Sequence, residues 1–387
     1  MISQNFNFST SHNIIFGAGK ITELSKVIET YGNKVLIVRT PLENNISKVI
    51  NIIEKAKKDW ISYTVVNEPT IEIIDDVVKS AREFDTALVI AVGGGSVIDT
   101  GKAVSALLTN PGQLIDYLEV VGKGLPLKKR SVPLIAIPTT AGTGSETTRN
   151  AVIEVTEKRV KVSLRGIFIQ PEVALIDPEF TLSVPPQVTA YSGMDAFIQV
   201  IEPYVSLKAN RMTDIFCREG IKSAASSLLK AYSDGNDLSA RINMSWVSLL
   251  GGICLANSGL GAVHGFAGSI GGMFHIPHGA ICASLLPAVM EVNIRALKKR
   301  DPDSISIDRY QEIFQLVTGN PIICVQDGLN WFGDFHAKLQ IPSLKKLGIL
   351  KINFSEIIRQ SKVASSMKTN PVVLNDEELN EILEKAF

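Results

Sequence analysis

Only five histidines occur in the 387-residue chain, and three of them, His264, His275 and His278, fall in the window 264–278. That window lies between Arg241 and Glu291, a stretch whose interior carries no Asp, Glu, Lys or Arg. An imidazole in an apolar layer needs a partner, because an unpaired buried polar group is costly, and a cation gripped by two imidazoles supplies one. A lone histidine reads as a satisfied core residue, whereas a cluster points to metal or acid–base chemistry. Upstream, the run GMDAFIQVIE over Gly193–Glu202 places Asp195, Gln199 and Glu202 at i, i+4 and i+7. On a helix these share one face. Acids on a helix commonly face solvent, but Asp195 is bracketed by Met194, Ala196, Phe197 and Ile198, poor company for a solvated carboxylate.

Two loops carry a second kind of chemistry. In Val92–Lys102, VGGGSVIDTGK, an apolar run ends in three successive glycines before a helical pattern begins. Residues without Cβ let backbone N–H groups approach a phosphate, and the helix start adds partial positive charge. Gly93, Gly94, Gly95 and Ser96 are therefore candidates to hold a pyrophosphate, against the plainer reading of a tight strand-to-helix turn. The loop is neither a Walker motif nor GxGxxG. A second loop, PTTAGTGSE over Pro138–Glu146, also follows an apolar run and is rich in hydroxyls and glycine. Alone it could be a polar turn; two such loops after neighbouring strands mark a ligand crevice.

Elements must position these residues. Apolar β-branched runs predict strands at 34–38, 61–66, 87–92 and 132–137, with helical periodicity filling the gaps between the first three. Thr70 before IEIIDDVV has the capping residue and early acids of a helix start. Such alternation builds a parallel sheet covered on both faces. The runs 151–155, 160–164 and 173–176 are expected to extend or flank it. After Asp177-Pro178 the texture becomes helical. The expected organisation is an α/β dinucleotide-binding domain over 1–180 and an all-α metal and substrate domain over 181–387, with a cleft between them. The uncharged stretch is interrupted by Gly251-Gly252, Gly271-Gly272 and Pro277, so it predicts a buried helical layer rather than a membrane span.

Thirty-nine Lys+Arg balance thirty-nine Asp+Glu, leaving no basic surplus for nucleic acid or anionic lipid. With 45 % apolar residues, disorder is excluded and a sizeable core is available. Cys217, Cys254, Cys282 and Cys324 form no CxxC pair, which fits neither a disulfide framework nor a thiolate zinc site. The start, MISQNFNFSTSHNIIF, lacks the basic and apolar regions of a signal peptide. A cytoplasmic location is expected.

The motifs together resemble the iron-containing, or group III, alcohol dehydrogenases, within the glycerol dehydrogenase and dehydroquinate synthase superfamily. The resemblance spans most of the chain: FGAG at 16–19, GGGSVIDTGK, PTTAGTGSE, IDP at 176–178, GMDAFIQVIEPYVS at 193–206, GAVHGFAG at 261–268 and IPHG at 276–279. It implies an oxidoreductase that moves a hydride between NAD(P) and a small alcohol or its carbonyl, with a divalent metal as Lewis acid. The cofactor positions it implies are Gly93, Gly94, Gly95, Ser96, Asp99, Thr139, Thr140, Gly144 and Lys161. Arg39 and Thr40 join them at the end of the first strand, where the lack of an acid leans the reading toward NADP.

Family members hold the metal with an aspartate and a histidine four apart, then two further histidines. The matching positions are Asp195, Gln199, His264 and His278, so glutamine stands where the family has histidine, and Gly268 replaces another common histidine. The site is therefore expected to be weaker or differently loaded, Fe2+ or Zn2+, with Asp195, His264 and His278 sufficing for a three-ligand zinc arrangement. His275 is a candidate proton relay. The alternatives are a metal-independent reductase similar to maleylacetate reductases, with His264, His278 and Arg149 binding an anionic carbonyl substrate, or a nucleotide-binding protein without turnover. A homodimer is a family-based expectation.

Overall fold

The apolar runs of the first half become strands because their residues alternate between two buried faces. In the computed structural model, which describes residues 5–41, 43–158 and 160–387, the strands are β1 (Asn13–Phe16), β2 (Lys34–Arg39), β3 (Asp59–Thr64), β4 (Leu88–Gly93), β5 (Leu134–Pro138), β6 (Asn150–Val155), β7 (Val160–Arg165) and β8 (Val173–Ile176). Six form one sheet in the order β1-β8-β5-β4-β2-β3, every neighbouring pair parallel. Leu36, Val89 and Ala136 belong to one buried cluster, while Ile37, Ile90 and Ile135 belong to another. Each strand thus feeds two cores, the pattern of a parallel sheet covered on both sides.

The structure adds detail to these expectations. Of the runs expected to extend or flank the sheet, β8 enters it between β1 and β5, whereas β6 and β7 pair antiparallel as a separate ribbon. Strand β1 had no sequence signal, since four residues are too few to display an alternation.

The helices of the first half are α1 (Leu24–Glu29), α2 (Glu43–Lys55), α3 (Ile71–Glu83), α4 (Gly95–Thr109) and α5 (Leu114–Tyr117). Helix α3 starts as its capping signal predicts, with the Thr70 hydroxyl accepting from the Ile73 N–H at 3.3 Å. Helix α4 lies close on the sheet because Gly101 faces it: a Cβ there would stand 2.8 Å from the Ala91 Cβ. Register then aligns the chemistry. Arg39 pairs with Val92, and Gly93 pairs with Pro138, so β2, β4 and β5 end along one edge.

A buried ionic knot fastens the second glycine loop to α4. Lys102, with no exposed surface, donates to Ser145 Oγ at 2.8 Å, Thr148 Oγ1 at 2.7 Å and the Asn150 carbonyl at 2.8 Å. An ammonium has three donors, and all three are used. Asp99 accepts from Ser145 Oγ at 2.5 Å and from the Val152 N–H at 2.9 Å. Burial pushes the Lys102 amine down to about 8, against the opposing charges of Asp99 and Glu146. Burial likewise pushes the Glu146 carboxyl up to about 7, partly offset by a backbone hydrogen bond and Lys102.

By mutual contacts the chain forms two compact units, one of residues 10–140 with 144–184, the other of residues 5–9, 141–143 and 185–387. The second contains α6 (Pro186–Val205), α7 (Arg211–Ser233), α8 (Leu238–Ser258), α9 (Ala262–Phe274), α10 (His278–Arg300), α11 (Ile305–Thr318), α12 (Val325–Lys338), α13 (Phe354–Ser361) and α14 (Asp376–Ala386), and no strand among the described residues. Pro186 occupies the first turn of α6, where its missing N–H costs nothing. Helices α8 and α10 are long and apolar enough to cross a membrane by length and composition, yet 67% and 83% of their most apolar windows are buried inside the protein. They are core helices, which accounts for their composition without lipid.

Glu146 links this packing to pH. Its carboxyl is raised by folding, so the stability it contributes is fully present below about pH 4.5 and is lost as pH rises through about 7. Replacing it by Glu146→Gln removes that dependence. In urea unfolding, the variant should gain on the wild type by up to about 3 kcal/mol between pH 4.5 and pH 8, a constant difference being the contrary result.

Candidate metal centre and cofactor loops

The candidate metal-ligating side chains come from three helices of one unit. Asp195 stands mid-way along α6, His264 in the first turn of α9, and His278 at the first position of α10. Gly279 brings α10 against α6: a Cβ there would lie 2.2 Å from the Tyr191 carbonyl oxygen, one turn before Asp195. His264 Nε2 is 3.2 Å from Asp195 Oδ1, and His278 Nε2 is 3.8 Å from the same oxygen. Cys282, one turn beyond His278, joins them with its Sγ 3.5 Å from His278 Nε2. One donor atom from each of Asp195, His264, His278 and Cys282 lies within 4.8 Å of the others.

Glu202, seven residues after Asp195, orients His264 from behind. Its Oε2 accepts from His264 Nδ1 at 2.7 Å and its Oε1 from the Val263 N–H at 2.7 Å. With the Nδ1 proton committed there, the neutral ring turns the lone pair of Nε2 toward a carboxylate oxygen. Two acceptors facing at 3.2 Å call for a proton or a cation between them. Burial alone would raise the Asp195 carboxyl, but the His264 hydrogen bond and the charges of His278 and His264 outweigh it and hold it below the usual range. Burial alone would lower both imidazoles; the Cys282 sulfur and Asp195, joined at His264 by Glu202, reverse that and raise them. The donor set of one carboxylate, two imidazoles and a thiol suits a borderline divalent ion such as zinc or iron(II).

Gln199 is fully buried but acts differently from a histidine. Its Nε2 donates to Asp195 Oδ2 at 3.1 Å and to the Gly142 carbonyl at 3.0 Å, and its Oε1 has no protein partner. His275 is outside this cluster. It is exposed and caps the C-terminus of α9 in the left-handed region, φ 49°. Gly268, one turn beyond His264, has nothing within 4 Å of where a Cβ would stand.

In the other unit, Gly94 precedes α4 with no side chain capping the first turn and no acid in it, leaving the N–H groups of Gly95 and Ser96 available to an anion. Thr139 and Thr140 follow β5 beside them, and Gly144 takes the left-handed conformation, φ 59°, that turns the chain into Ser145. Asp99 points inward to Ser145 and Val152, so its carboxylate braces the loop. Lys161 is half-buried, and its ammonium pairs with Glu68 at 3.2 Å. Arg39 closes β2 with its Nε buried and unpartnered, and the Thr40 N–H donates to the Val92 carbonyl.

Sequence reasoning missed Cys282 and Lys102. Counting only cysteine pairs passed over Cys282, although its spacing of four from His278 was visible. Lys102 gave no signal, because a lysine on a helix ordinarily reads as a solvated one.

A parallel sheet with glycine loops at its carboxyl edge, and a buried carboxylate–imidazole cluster among helices, give a candidate nucleotide site and a candidate metal site. The chain belongs to the iron-containing alcohol dehydrogenase family: that family's description matches residues 11–178, and the family's C-terminal region matches residues 189–387. Alcohol dehydrogenase 4 of Saccharomyces cerevisiae is 33% identical over 380 residues, covering 96% of each chain. Among solved structures, an alcohol dehydrogenase from Oenococcus oeni superposes with a TM-score of 0.91 at 31% identity, covering 99% of this chain and 100% of that one. A 1,3-propanediol oxidoreductase superposes with a TM-score of 0.92 at 28% identity, again covering 99% and 100%. The protein is thus an oxidoreductase of the alcohol dehydrogenase type, from a family that uses NAD and a metal.

Glu202 has a measurable role. Glu202→Gln should weaken divalent-metal affinity about 10- to 100-fold while leaving the far-ultraviolet dichroism intact. Competition against a chelator reads this directly; unchanged affinity would show that His264 needs no such support.

Proposed function

We propose that the protein transfers a hydride reversibly between NAD(P) and a small primary or secondary alcohol or its carbonyl. A divalent metal, Fe2+ or Zn2+, is held by Asp195, His264 and His278. The observation that carries the reading is the convergence on Asp195 Oδ1 of two imidazole nitrogens from distant segments, one fixed by a carboxylate behind it. When bound, the metal supplies Lewis-acid polarisation of the substrate oxygen. The chain does the rest. The N–H groups opening α4 hold the pyrophosphate, Thr139, Thr140 and Gly144 border the ribose and nicotinamide, and Lys102 and Asp99 keep that loop in place. Lys161, beside Glu68, lies within the same cofactor-binding surface. Gln199 orients Asp195. His275 is proposed as a proton relay to solvent, in keeping with its exposed position three residues before His278.

For substrate, the relative named a 1,3-propanediol oxidoreductase supports a short alcohol or diol, and the open space at Gly268 supports tolerance of a substituent near His264. For coenzyme, Arg39 favours the 2′-phosphate of NADP, since its unpartnered buried Nε sits at the strand end where an acid would select NAD.

Two measurements test this. Exhaustive chelation should abolish turnover and a divalent ion should restore it; activity that survives chelation would instead favour the metal-independent reading, in which His264, His278 and Arg149 bind the carbonyl substrate. Arg39→Ala should lower kcat/KM for NADPH about 10- to 100-fold and hardly change it for NADH. A wild-type preference for NADH would overturn the NADP assignment.

A further inference from the structure

We propose that Cys282 is the fourth protein ligand of this metal, a thiolate on α10 that takes the place the family gives to a histidine at position 199. The inference rests on the metal reading above and goes beyond it, because the family pattern draws its ligands from aspartate and histidine only.

Three observations carry it. The first is placement. Cys282 is fully buried, and its Sγ belongs to the group of four donor atoms that lie within 4.8 Å of one another. A tetrahedral zinc site with ordinary bond lengths sets oxygen and nitrogen donors about 3.4 Å apart, and nitrogen and sulfur donors about 3.5 Å apart. The separations here are 3.2 Å for His264 Nε2 to Asp195 Oδ1 and 3.5 Å for His278 Nε2 to Cys282 Sγ, with the third, His278 Nε2 to Asp195 Oδ1, at 3.8 Å. Two of these separations match coordination spacing, and the four donor atoms are close enough for a small inward shift to bring them onto one ion.

The second is the fate of Gln199. Its amide nitrogen is spent on Asp195 Oδ2 and the Gly142 carbonyl, so the side chain positions the carboxylate. Its remaining oxygen, buried and unpartnered, is a neutral hard donor and the poorer ligand for a borderline ion beside a thiol. The third is helix geometry. In the family pattern an i, i+4 pair on α6 supplies two ligands; here α6 keeps only Asp195, and α10 gains the i, i+4 pair His278 and Cys282. One ligand pair has moved from one helix to its neighbour.

On binding, the S–H bond of Cys282 is replaced by an S–metal bond and one proton passes to solvent, with no change of oxidation state. A soft thiolate in place of an imidazole tilts the site from iron(II) toward zinc, and the substrate oxygen would add as a fifth ligand to the four from the protein.

Cobalt(II) added alone to metal-free full-length protein tests the assignment. One equivalent should bind and give a near-ultraviolet thiolate-to-cobalt charge-transfer band with the strong visible absorption of a four-coordinate ion. Cys282→Ser should lose the charge-transfer band and bind cobalt at least tenfold more weakly, while Gln199→Ala keeps the band. Cobalt bound by the wild type without that band, or a band that persists in Cys282→Ser, overturns the thiolate ligand and leaves the three-ligand site standing. Failure of the wild type to bind cobalt or zinc overturns both. Should Cys282→Ser not fold, zinc-edge X-ray absorption on the wild type decides. One sulfur at about 2.3 Å is expected, and a shell of nitrogen and oxygen alone, as from a thiol merely hydrogen-bonded to His278, refutes it.

Discussion

The helical unit is organised around one buried contact, His264 Nε2 facing Asp195 Oδ1 at 3.2 Å, which needs a proton or a cation between the two atoms. Glu202 enforces that orientation by taking the proton of the opposite ring nitrogen. Without either, the two acceptors would cost free energy comparable to an unsatisfied buried group; a shared proton satisfies them, and a metal ion can take that proton's place. The glycines of the motifs make that packing possible. Gly279 lets the backbone of α10 touch that of α6, and Gly261 leaves room for Glu202, whose Oε1 would lie 2.8 Å from a Cβ at that position.

The α/β unit meets a related demand with protein groups alone. Lys102 and Asp99 grip the end of its second glycine loop by hydrogen bonds from inside α4. Every donor of the ammonium and both oxygens of the Asp99 carboxylate are engaged, which makes burial of the pair tolerable. The result is a rigid strand edge, on which β2, β4 and β5 present Arg39, the triple glycine and the two threonines in fixed register.

Much of this was legible from local pattern. Continuous β-branched runs located β2, β4, β5 and β8 to within a residue or two, because a strand buried on both faces leaves no room for polar interruption. Thr70 announced α3, and the switch to helical texture after Asp177 reflects a core built from helix faces alone. Asp195 could be singled out by its apolar neighbours, and the histidines by their rarity. Strand β1 and the separate ribbon of β6 and β7 were not legible, since pairing partners are chosen across long sequence separations.

Sequence by itself determined which residues could do chemistry: a phosphate-cradling triple glycine, a carboxylate in apolar company, and imidazoles in an uncharged layer. Tertiary structure alone decided which of them meet. It turned Glu202 away from the cluster to serve His264, committed the Gln199 amide to Asp195 and Gly142, set His275 outside, and added Cys282. The physical reason is that residue type and helical phase specify a face, whereas coordination requires atoms from three helices within a few ångströms, and that distance is set by how closely the backbones of α6, α9 and α10 pack.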